Sequence, residues 1–119
     1  MAQRIFDKKR GVLSTSGATS ATFDIAVPIN TTIGFLSKIV VRETNSNIGA
    51  FKYSAGSISN DSGTVALDNT ITTIAQLTNT GLNGISAIFT ANSTNLRLTV
   101  TGIVSADIDW QYEIEVIIN

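Results

Sequence analysis

The sequence has no cysteine and no histidine, and only one proline, one tryptophan and one methionine in 119 residues. Without cysteine there are no disulfides and no thiolate metal sites. Without histidine the commonest metal ligand and the commonest general base near neutral pH are missing, and a Ser-His-Asp triad is excluded. Charged residues make up only 14%, against about 25% in ordinary soluble domains. No apolar run approaches the roughly 18 residues of a membrane span. The opening Met1-Ala-Gln-Arg-Ile-Phe-Asp7 lacks the apolar stretch of a signal peptide. The expectation is a protein made in a cytoplasm and not held in a membrane.

What is present is β-branched. Ser, Thr and Asn make up about a third of the chain, and isoleucine is far commoner than leucine. Threonine and isoleucine are stiff at χ1 and suit a pleated, half-buried surface. The length fits one domain, large enough to hide roughly 65% of its unfolded surface without staples.

The net charge of −1 conceals an asymmetry: the first ten residues carry +3 through Arg4, Lys8, Lys9 and Arg10 against Asp7, and the remainder carries −4. A basic arm on a mildly acidic body can dock on an acidic partner, or simply stay solvated. No basic patch occurs elsewhere and no Lys/Arg–aromatic interleaving, which argues against nucleic acid. Ser14-Thr-Ser-Gly-Ala-Thr-Ser-Ala-Thr22 reads as a flexible lead-in. The expected division is therefore an arm and lead-in over 1–19 and one β domain over 20–119.

Within that domain Phe23, Ile25 and Val27 alternate as in a half-buried strand, and Pro28 ends it. Phe35 to Thr44 is rich in consecutive apolar residues, which predicts burial on both faces or a bulge. A short strand is expected around Phe51 and Tyr53, and another from Thr64 to Leu67. Residues 70–78 are ambiguous, because Ile71, Ile74 and Leu77 have helical spacing while the threonines favour a strand. Residues 85–91 and 96–101 flank Asn92-Ser-Thr-Asn95, which reads as a four-residue hairpin loop. The strongest pattern is last: Ile108, Trp110, Tyr112, Ile114, Val116 and Ile118 share one strand face, and Asp109, Gln111, Glu113 and Glu115 the other. About eight short strands at such spacing predict an all-β, antiparallel, jelly-roll-like sandwich.

No constellation carries catalysis. Glu113 and Glu115 lie about 6.5–7 Å apart on one strand, a glycosidase-like separation, but such pairs normally flank a cleft from different strands. Asp107 and Asp109 have no calcium-loop spacing, and Gly81-Leu-Asn-Gly84 is no phosphate loop. Trp110 and Tyr112 could stack on sugars but sit on the apolar register, so core packing is expected. The reading is of a protein without cofactor, metal site or enzyme activity. Ile117 falls on the polar register, and Val40 sits between two apolar neighbours. With Arg4, Lys8, Lys9 and Arg10 they form the set of candidate partner-binding residues.

Asn95-Leu-Arg-Leu-Thr-Val-Thr-Gly102 followed by Ile108-Asp-Trp-Gln-Tyr-Glu-Ile-Glu-Val116 resembles the closing hairpin of small β-sandwich domains in bacteriophage virion proteins. These include head-fibre, capsid-decoration and tail-fibre components. Lys38-Ile-Val-Val-Arg-Glu-Thr-Asn45 and Gly63-Thr-Val-Ala-Leu67 are similar to that group as well. The resemblance implies a non-enzymatic structural protein located in the virion. It also implies a homo-oligomer, frequently a trimer, attached to other capsid or tail proteins, with the basic arm as tether. A carbohydrate- or receptor-binding module facing a host glycan is the alternative.

Overall fold

The computed structural model describes residues 5–119. Its nine strands are β1 (Ile5–Ser16), β2 (Ser20–Ala26), β3 (Thr31–Glu43), β4 (Ile48–Asp61), β5 (Thr64–Leu67), β6 (Thr72–Thr78), β7 (Ser86–Asn92), β8 (Asn95–Thr101) and β9 (Asp107–Ile118). One turn of 3-10 helix spans Thr80–Leu82. All strand pairs are antiparallel. The larger sheet runs β1-β9-β3-β4-β5, and β6 also pairs with β4; the smaller runs β2-β8-β7. β5 and β6 share one edge of the long β4, at Ile58–Asp61 and Ala50–Ala55 respectively. The result is an all-β antiparallel sandwich.

The two sheets meet through their apolar faces. Ile33, Phe35, Ile39 and Val41 of β3 and Ile108 to Val116 of β9 face Leu96, Leu98 and Val100 of β8, all buried at their alternate positions. Phe35 packs on Phe89 with ring centroids 4.9 Å apart, and Phe23 on Tyr112 at 4.7 Å. Each large side chain so buried contributes roughly 1.5–3 kcal/mol. Trp110 is in this core, and its indole N–H donates to the Thr15 hydroxyl at 3.0 Å. At the hairpin between β4 and β5 the loop is Ser62-Gly63, both with positive φ, as a two-residue primed turn requires.

Several sequence expectations give way. Within the expected arm and lead-in, Ile5–Ser16 is a strand that pairs with β9 along its whole length. The reason is the demand of β9, whose buried backbone needs partners on both sides. Phe35 to Thr44 is not buried on both faces. β3 alternates strictly, leaving Val40 53% exposed between buried Ile39 and Val41. Residues 72–78 settle as an edge strand, and the Asn92–Asn95 loop shortens to Ser93-Thr94 because Asn92 pairs with Asn95. The supposed closing hairpin is none: β8 pairs with β2 and β7, while β9 crosses to the other sheet between β1 and β3.

Candidate interaction face

Register assembles the outward side of the large sheet into cross-strand rows. Val12, Gln111, Val40, Phe51 and Leu77 stand side by side on β1, β9, β3, β4 and β6. Val12, Val40 and Leu77 are 58%, 53% and 69% exposed, so apolar residues run unbroken over β3, β4 and β6, and Val12 lies beyond the Gln111 amide on β1. The next row is charged and aromatic: Arg10, Glu113, Lys38 and Tyr53. At the end of the sheet Phe6 and Ile117 pair as a second apolar cluster. Between the two rows lies a shallow depression of about 490 Å³ lined by Arg10, Val12, Lys38, Val40, Phe51 and Gln111.

Lys8, Arg10, Lys38 and Arg42 offset Asp107, Asp109, Glu113 and Glu115 around the apolar row, and Asp61 and Asp68 add two negative charges towards β5. Lys8 Nζ lies 3.4 Å from Glu113 and 3.8 Å from Glu115, and Arg10 Nε lies 3.5 Å from Glu113. The Lys38 ammonium sits 5.5 Å from the Tyr53 ring centroid. Exposed pairs of this kind contribute about 0–1 kcal/mol each, so they set local neutrality more than stability. Ser14 and Ser16 donate to Asp109 and Asp107 at 2.9 and 2.8 Å. Among the described residues no group of three His, Cys, Asp or Glu side chains could hold a metal ion.

No protein-family model matches the chain, and no curated protein matches it. Solved structures do resemble it. The tailspike protein gp49 of Acinetobacter baumannii bacteriophage Fri1, a capsular polysaccharide depolymerase, aligns with a TM-score of 0.54 at 13% identity, over 96% of this chain and 17% of that one. The tailspike of Acinetobacter phage vB_ApiP_P1 aligns with a TM-score of 0.51 at 14% identity, over 93% of this chain and 21% of that one. The fold is one found in phage tailspikes. The chain spans about a fifth of each spike, and at this identity the likeness is one of fold.

Of the residues singled out in the sequence, the tailspike-like fold brings Lys8, Arg10, Val40 and Ile117 onto the one outer face. Lys9 points to the other side of β1, where its ammonium pairs with Asp7 at 2.8 Å. Arg4 lies outside the described residues. Val12, Phe51, Leu77 and Phe6 are not among the partner-binding residues expected from the sequence, because only cross-strand register brings them to the face of Val40 and Ile117.

Proposed function

We propose that this chain is a non-catalytic structural domain of a phage virion fibre or spike, whose outer sheet face packs against neighbouring chains of the particle. The observation that carries this is the apolar row Val40-Phe51-Leu77, with Val12 beyond Gln111, on the outer face of the large sheet. Contiguous apolar surface of this kind marks association sites, and the fold's occurrence as a small part of tailspikes supports a place within a larger assembly. The same reading puts the protein in the virion and makes it a homo-oligomer, with a trimer expected. A capsid-decoration or head-fibre position would use the same face. Light scattering after gel filtration tests it: about three times the 12.6 kDa chain mass supports it, and a monomer at high concentration that also fails to bind particles removes it.

A second reading is favoured by the depression beside Phe51, where an aromatic ring, the Gln111 amide, the Glu113 carboxylate and the Arg10 and Lys38 cations meet. Rings and amides of this sort suit a host glycan. Saturable binding on a glycan array, lost in Phe51→Ala, would support it; an array without hits would remove it.

A further inference from the structure

On the inner side of the same sheet, where the three-stranded sheet stops short of β4, a cleft of about 160 Å³ opens between the layers. That volume is close to the roughly 150 Å³ of a protein cavity able to hold a six-membered ring. Ile39, Val41 and the buried Trp110 line it from the large sheet, and Ala87 of β7 lines the opposite wall. Among the described residues its only charged lining residue is Lys52, which β4 points inward. The Lys52 ammonium donates to the Ala87 carbonyl at 2.7 Å, which leaves two of its three N–H donors for other acceptors. Among the described residues no carboxylate lines the cleft, and burial pushes the Lys52 pKa below its ordinary 10.5. An inward lysine can serve simply to blunt the free edge of β7. That role needs the Ala87 bond, and it leaves unexplained a ring-sized apolar space beside a cation without a counter-ion.

We propose that this cleft binds a small organic carboxylate, its ring-sized apolar body against Trp110 and its carboxylate on the Lys52 ammonium. The Gln76 amide and the Thr78 and Ser86 hydroxyls lie among the lining groups that can take its remaining polar atoms. An apolar pocket with a few convergent polar groups and a perturbed lysine is the general form of a small-molecule site. Of the outer row, Phe51 also lines the cleft; Lys52, Ala87 and Trp110 belong to its inner side.

Trp110 is the only tryptophan, so the tryptophan fluorescence comes from a residue that lines the cleft. Cyclohexanecarboxylate titrated into the full chain should give a saturable change, with amide NMR shifts confined to residues around Lys52, Ala87 and Trp110. The uncharged cyclohexylmethanol should bind at least about tenfold more weakly, as should carboxylate to Lys52→Met, because a charge-assisted hydrogen bond is lost. Val40→Glu on the outer face should leave the affinity unchanged. No saturable change, or equal binding of acid and alcohol to the unaltered protein, overturns the proposal even if Lys52→Met does not fold.

Discussion

Gly102 shows how tightly the crossing between the sheets is drawn. A Cβ there would lie 2.6 Å from the Gly17 carbonyl oxygen and 2.8 Å from Thr15 Oγ1, the hydroxyl that accepts from Trp110. Gly102→Ala should therefore cost about 1–3 kcal/mol, read as a lower urea midpoint. Ser37 is the opposite case: its hydroxyl is fully buried on β3, opposite Ser54 and Ile114, with no hydrogen-bond partner among the described residues. Ser37→Ala should raise stability by roughly 1 kcal/mol by removing an unsatisfied group; a lower melting temperature would refute this. Glu43 governs acid behaviour. Its carboxylate accepts from the Ser46, Asn45 and Asp107 backbone N–H groups at 2.6, 3.1 and 3.4 Å. Hydrogen bonding, from Ser46 foremost and then from Asn45, holds its pKa below the ordinary 4.5. Asp24 is likewise held below 3.8, by its hydrogen bonds from Arg97. In both, the folded state binds its proton less readily than the unfolded chain. Their stabilisation is complete above those ordinary values and is lost as pH falls through the lower folded ones. The melting temperature should thus fall on acidification below about pH 4.5, and by less in Glu43→Gln.

Among the elements, β1 decides most about how the N-terminal region works. It pairs with β9 along its whole length and supplies Thr15 to Trp110. Its inward Gly11 lets the Tyr112 ring pass where a Cβ would collide with the tyrosine hydroxyl. Removing residues 1–16 would bare the edge of the strand that carries Trp110, Ile114 and Val116. The truncated chain should lose its cooperative unfolding transition or aggregate, as unprotected edges do. A truncated domain with an unchanged melting curve would instead return this segment to the status of a detachable tether. Legibility differed between strands for a physical reason. β8 and β9 alternate because the core strips polar residues from one face only. β1 has small and charged residues at most positions, since it is an edge strand covered on one side. Its partner lies about a hundred residues away, as in the pair Leu13 and Trp110, where no local pattern reaches.

The whole molecule is drawn out along its strands, with principal extents of 51 × 23 × 22 Å and a radius of gyration of 15.0 Å. A globule of this length would have about 13.5 Å. The elongation gives the large sheet a broad outer face for a small chain. If that face is an interface, placing a charge at its centre should separate the copies without touching the core. Val40→Glu combined with Leu77→Glu is expected to lower the mass seen by light scattering towards 12.6 kDa, with the melting temperature of the dissociated chain kept. An unchanged mass would exclude this face from the contact.

By itself the sequence determined the class of fold and the inward faces of its best strands, because burial imposes a period of two that can be read residue by residue. It also determined what chemistry is out of reach, since a triad without histidine or a thiolate site without cysteine cannot be built by any fold. Which strands pair was decided only by tertiary structure, because hydrogen-bonded register is a relation between distant segments. That relation turned a supposed arm into β1 and separated β8 from β9 into different sheets. It also lined up Val12, Val40, Phe51 and Leu77 in one cross-strand row, and it closed a cleft around Lys52 and Trp110.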